Sequence, residues 1–137
     1  MGRILAIDFG LKRTGLAVTD PLRIIATGLE TVETARLIAF LTNYFQKEQV
    51  DEVVIGMPKR LNNEDSEIAP QVRKFVDQFK TIFSAKPIYL ADERFTSAMA
   101  QRAMIEGGMK KKDRQVKANV DKISATLILQ SYLETRR

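Results

Sequence analysis

The sequence predicts an α/β fold, a mixed five-stranded sheet with three antiparallel strands first, two more added by helical crossovers, and helices on both faces. Three observations carry this reading. Three strand-like segments follow one another near the N-terminus with only turn signals between them. Two later apolar segments, the first rich in β-branched residues, each follow a stretch with helical spacing of its apolar residues. Glycine and proline punctuate the boundaries between them.

The elements can be justified in chain order. ILAIDFG (4–10) reads as a buried strand, and Gly10, Leu11, Lys12, Arg13, Thr14 and Gly15 behind it read as a turn. TGLAVTD (14–20) is a second strand stopped by Pro21, and IIATGLETV (24–32) is a third, completing an antiparallel meander. Leu37, Phe40, Leu41, Tyr44 and Phe45 are spaced for a helix within 33–49. VDEVVIGMP (50–58) is a β-branched strand ended by Gly56 and Pro58. KRLNNEDSEIAP (59–70) is a polar loop, and VRKFVDQFKTIF (72–83) an amphipathic helix. PIYLADERF (87–95) is the fifth strand. Thr96 can cap a helix running to Ile105 and ended by Gly107 and Gly108. A basic loop then leads into a final helix over about 116–135.

Composition narrows the chemistry. The 137 residues are 45% apolar and 28% charged, which fits one globular domain spanning 1–137. No apolar run approaches the roughly 20 residues that cross a bilayer, and MGRILAIDFG lacks a signal peptide's apolar core, so no membrane partner and a cytoplasmic location are expected. The chain has neither cysteine nor histidine. Disulfides, thiolate metal sites and the commonest general base are therefore excluded, and catalysis falls to carboxylates, Lys, Ser, Thr or Tyr. Residues 1–100 carry 13 Lys and Arg against 13 Asp and Glu, whereas 101–137 carry 9 against 4. The whole net charge of +5 thus sits in the C-terminal stretch, centred on KKKDRQVK (110–117). Such a patch is either a solvated loop or a surface for a polyanion, most often nucleic acid.

Three acidic positions stand among apolar neighbours. Asp8 closes the first strand, Asp92 and Glu93 close the fifth on opposite faces, and Asp121 falls in the apolar arc of the final helix with Val120, Ile128 and Tyr132. A carboxylate in such surroundings is costly unless a cation or hydrogen-bond donors meet it. Converging carboxylates repel unless divalent cations neutralise them, and hard oxygen ligands suit Mg²⁺ or Mn²⁺. Two such ions about 4 Å apart support phosphodiester hydrolysis. Each position also has a local reading: Asp8 capping the turn behind it, Glu93 pairing with Arg94 at the surface, Asp121 bonding Lys117 one turn earlier.

Four motifs resemble the YqgF/RuvX family, ribonuclease H-like proteins related to the Holliday-junction resolvase RuvC. Asp8, Gly10, Lys12, Arg13, Gly15, Ala17, Val18 and Asp20 match its D-x-G-x-K-R-x-G-x-A-V-x-D pattern. Val53, Val54, Gly56 and Pro58 match V-V-x-G-x-P, and Asp92-Glu93-Arg94 followed by Phe95 and Thr96 matches D-E-R. Lys117, Val120, Asp121 and ISATLILQSYL (123–133) match the terminal helix. The resemblance implies a ribonuclease H-like fold and a Mg²⁺- or Mn²⁺-dependent nuclease that matures the 5′ end of pre-16S ribosomal RNA. Its acidic triad falls on Asp8, Glu93 and Asp121, with Asp92 as the substitute if the strand register shifts by one. Lys12, Arg13 and Lys117 would meet substrate phosphate, and Arg94 is a possible addition. The 59–70 loop departs from the family pattern in having no glycine, so no role is carried onto it. Precursor ribosomal RNA is the expected partner, with branched DNA and the ribosome as further ones, for a monomer or homodimer. Three other readings stand beside this one: a Holliday-junction resolvase, an ATPase of the actin-like kind suggested by the Asp8–Gly15 loop, and a non-catalytic RNA-binding module.

Overall fold

A computed structural model of the chain describes residues 2–57, 68–92 and 117–135. The elements are β1 (Arg3–Asp8), β2 (Arg13–Thr19), β3 (Ala26–Glu33), a 3₁₀ turn (Thr34–Arg36), α1 (Leu37–Lys47), β4 (Val50–Met57), α2 (Ala69–Ile82), β5 (Ile88–Asp92) and α3 (Lys117–Thr135). The sheet order is β3-β2-β1-β4-β5. β1 pairs antiparallel with β2, and β2 antiparallel with β3. β4 and β5 add parallel on the other side of β1. This is the mixed sheet that the sequence predicts.

Alternation along β1 sorts the core into two layers. Leu5 and Ile7 join Leu16, Val53 and Ile55 beneath α1 and α2, while Ile4 and Ala6 join Ala17 and Val54 beneath α3. α2 buries Val72, Phe75, Val76 and Phe79, spaced three and four apart on one face. Phe79 and Phe83 lie 4.9 Å apart between ring centroids, and Phe45 of α1 meets Phe83 edge-on at 5.0 Å. Phe79, the fully buried ring of the three, contributes roughly 1.5–3 kcal/mol by leaving water. On the other face α3 buries Ala125, Ile128, Leu129 and Leu133. Ala6, Ala17 and Ala125 are all fully buried there, so the helix backbone can approach the strands closely.

Several boundaries differ from expectation for identifiable reasons. β3 begins at Ala26, and Ile24 and Ile25 are 58% and 63% exposed. The Asp20 carboxylate accepts hydrogen bonds from the N–H groups of Leu22, Ile24 and Ile25, at 3.1, 2.8 and 2.8 Å, and winds this apolar stretch into a turn. The turn sets Arg23 at φ 60°, a left-handed conformation that costs roughly 1–2 kcal/mol. Its guanidinium offsets this by donating to Gly2 O at 3.0 Å and to Asp51 Oδ2 at 2.9 Å. α2 starts three residues before the expected Val72, because Pro70 occupies its first turn, where a missing N–H costs nothing. α1 is preceded by the 3₁₀ turn and stops at Lys47. The helix expected over 96–105, the loop over 59–67 and the basic run over 110–116 lie outside the described residues.

The Gly2 N–H, Gln49 and Arg23 hold the Asp51 carboxyl below its usual range, the Gly2 bond contributing most. A carboxyl whose folded value is depressed stabilises the fold at neutral pH, and that contribution disappears as pH falls from roughly 4 through the lowered value. Asp51→Asn should therefore lower the urea midpoint at pH 7, and the gap to the unsubstituted protein should narrow at pH 3.

Candidate active site

β1, β4 and β5 run parallel, so Asp8, Met57 and Asp92 end at one edge of the sheet. Asp8 faces Gly15 across the β1–β2 ladder. On the other side it lies one step past the Ile7–Ile55 pair, level with Gly56, which is itself paired with Ala91. The row across the sheet therefore reads Gly15, Asp8, Gly56, Ala91. The half-buried carboxyl of Asp8 stands among neighbours with little or no side chain. Asp8 shares its parity with Ile4 and Ala6, and Ala91 packs against the same cluster, so this row belongs to the face covered by α3. Glycine inside a strand marks such an approach, and the in-strand positions of Gly15 and Gly56 were the available signal in the sequence.

The turn behind Asp8 is fixed from several sides. Phe9 packs on Phe75 of α2 with ring centroids 5.3 Å apart. A Cβ at Gly10 would collide with the carbonyl oxygen of Arg13, so the chain can close here only with glycine. The Thr34 hydroxyl donates to Gly10 O at 2.6 Å, and the Thr34 N–H donates to Lys12 O at 2.9 Å. Because the single hydroxyl proton of Thr34 is committed to Gly10, the fully buried Thr14 hydroxyl donates to Thr34 Oγ1 at 2.9 Å. Sequence reasoning did not find these two threonines; their partners lie 20 and more residues away, and no local spacing signals them. The clamp leaves Leu11, Lys12 and Arg13 exposed. A cleft of about 600 Å³ runs from Asp8 along residues 9–13 to Ile68 at the start of α2.

The other expected site residues distribute as follows. Asp92 is the last residue of β5, Lys117 the first of α3, and Asp121 lies one helical turn before the sheet-packed Ala125; their side chains lie outside the described residues. Glu93 and Arg94 lie wholly outside them. Among the described residues no three carboxylates gather as a metal-binding group. A different acid, Glu52, is only 5% exposed, with its Oε1 3.8 Å from Arg23 and its Oε2 accepting from the Tyr132 hydroxyl at 3.4 Å. It sits toward the N-terminal end of β4, at the opposite pole from Asp8, and belongs to the scaffold. No helix among the described residues is long and apolar enough to cross a membrane.

Residues 2–135 match the family model described as "RuvX: Holliday junction resolvase". A Bacteroides fragilis protein named "Putative pre-16S rRNA nuclease" is 56% identical over 137 residues, covering 100% of this chain and 99% of that protein. A Flavobacterium psychrophilum protein of the same name is 55% identical over 133 residues, 97% of each. Among solved structures, Thermus thermophilus RuvC in complex with a Holliday junction substrate superposes with a TM-score of 0.59 at 18% identity, over 99% of this chain and 96% of that one, a likeness of fold. With nearly its whole length matched and more than half its residues shared with full-length relatives, the chain belongs to the RuvX family.

Proposed function

We propose that the chain is a metal-dependent nuclease that hydrolyses a phosphodiester bond in maturing the 5′ end of pre-16S ribosomal RNA. The observation that carries this reading is Asp8, set in a row of glycine and alanine at the strand ends, directly beside a clamped turn that displays Lys12 and Arg13. Full-length relatives named for that substrate support it.

The donor set fits a hard divalent ion. Asp8 offers carboxylate oxygens where neighbouring side chains leave room, and a chain without histidine or cysteine lacks the imidazole and thiolate ligands that softer metals prefer. Asp8, Glu93 and Asp121 would hold Mg²⁺ or Mn²⁺, with Asp92 in place of Glu93 if the register shifts. When bound, the ions supply an activated water and charge stabilisation at the leaving oxygen. The protein's own part is positioning. Lys12 offers a point charge and Arg13 a planar fork of donors to phosphate oxygens, and both hold the backbone without reading sequence. The Thr34 clamp keeps their backbone fixed relative to Asp8. Lys117 and Arg94 would add charge near the same phosphates, and the 110–117 run would attract more distant ones, on the ribosome or on free precursor.

The family description favours a second reading, resolution of a four-way DNA junction with the same carboxylates. Parallel cleavage assays on precursor 16S RNA and on a four-way junction separate the two, since the first reading predicts cut RNA and intact junction.

Replacing Asp8 by Asn should reduce RNA cleavage by about 100-fold or more while circular dichroism shows a folded protein. Full activity of that variant in Mn²⁺ would remove Asp8 from the site. EDTA should stop cleavage, and added Mg²⁺ or Mn²⁺ should restore it, with RNA binding persisting throughout. In Lys12→Gln and Arg13→Gln, affinity should weaken for all sequences alike. The slope of log Kd against log salt should fall by roughly 0.7 for each lost phosphate contact.

A further inference from the structure

We infer that Leu11 contacts a base of the RNA, acting as an apolar wedge beside the bound phosphate; this rests on the nuclease reading above. Leu11 is 66% exposed and sits at the bend between β1 and β2. Single exposed leucines are ordinary on a protein surface. What sets this one apart is its backbone, because the carbonyls on both sides of it, Gly10 O and Lys12 O, are held by the same residue, Thr34. The clamp presents an apolar side chain to water at a position where any polar residue would be better solvated. Several other exposed large apolar residues, Leu22, Ile24 and Ile25, belong to the Asp20 turn at the opposite end of β2.

What surrounds Leu11 selects the ligand. It shares one cleft with Asp8, Lys12, Arg13 and Ile68, so the wall of that cleft offers apolar surface and cations together. A neutral lipid or an apolar peptide would not use the cations, and an inorganic phosphate would not use the leucine. A nucleotide has both a charged backbone and a flat, poorly hydrated base face. Two residues lie between Asp8 and Leu11, and the three steps along the chain limit their Cα atoms to about 11 Å. That reach corresponds to about three stacked base steps at 3.4 Å each. An apolar side chain inserted at such a step unstacks it, as wedges of Phe, Leu, Ile or Met do elsewhere. Lys12 and Arg13 would then fix the backbone, and Leu11 would add a preference for steps that open easily, which phosphate contacts alone cannot give.

The test is binding of precursor 16S RNA carrying one 2-aminopurine at each successive position around the mature 5′ end, in buffer without divalent metal so that no strand is cut. The unsubstituted protein should raise the fluorescence at one or two adjacent positions, reporting an unstacked base. Leu11→Ser should lose that rise and bind about fivefold more weakly, while Leu11→Met retains both. An abasic residue at the responsive position should erase the difference between Leu11→Ser and the unsubstituted protein. Binding with no fluorescence rise at any position, or an equal rise with Leu11→Ser, overturns the inference alone. RNA that fails to bind at all overturns it together with the functional reading.

Discussion

β1 is paired along both edges and covered on both faces, and this constraint shapes the rest of the molecule. Ile4, Leu5, Ala6 and Ile7 have no exposed surface to speak of, so nothing polar can be accommodated among them without a buried partner. The strand can carry charge only where the sheet stops, at Arg3 on one end and Asp8 on the other, both half-buried. A carboxylate at the end of the central strand is thereby fixed by the most rigid element of the fold, and the parallel neighbours bring β4 and β5 to the same edge. In parallel sheets the strand C-termini are where crossovers open and ligands enter.

The two poles treat charge differently. At the N-terminal end of β1, Arg3 bonds Thr19 O and Glu48, while Arg23 bonds Gly2 O and Asp51 and approaches Glu52. These groups neutralise one another and tie the β2–β3 turn, β1 and β4 together. At the other end, the hydrogen bonds of the clamp run through threonine hydroxyls and backbone carbonyls, and the cations Lys12 and Arg13 point away from the core. One pole uses its charges to hold the sheet. The other draws on threonine hydroxyls for its clamp, and its cations Lys12 and Arg13 are exposed.

That division explains what was legible in the sequence. β1, β2 and β4 could be read to within a residue or two, and β5 at its start, because they are apolar runs bounded by Gly, Pro or Asp. Ile24 and Ile25 misled because hydropathy is blind to three N–H groups converging on the Asp20 carboxylate. Asp8 was legible as an acid where an apolar run ends, and Lys12 and Arg13 as basic residues in a glycine-flanked turn. Thr14 and Thr34 were not, since two threonines 20 residues apart become a clamp only after β2 and β3 pair and place Val32 against Thr14. Glu52 was hidden for a similar reason: its partners Arg23 and Tyr132 come from distant segments.

The helix on the far face sets the remaining condition. A hydrolytic site assembled from separate elements has to hold its groups to within about 0.5 Å, and helices and strands do this more precisely than loops. Asp121 lies on the same helix as Ala125, which rests on the sheet in the cluster that contains Ala6 and Ala17. Small residues at all three points remove the slack that longer, rotatable side chains would leave between helix and strands. Enlarging any of them would force α3 outward and cost roughly 1–3 kcal/mol in packing. It would also shift the backbone one turn ahead, where Asp121 sits. The alanines beneath α3 thus fix how close the helix comes to the sheet, and the glycines beside Asp8 keep space open at the strand ends.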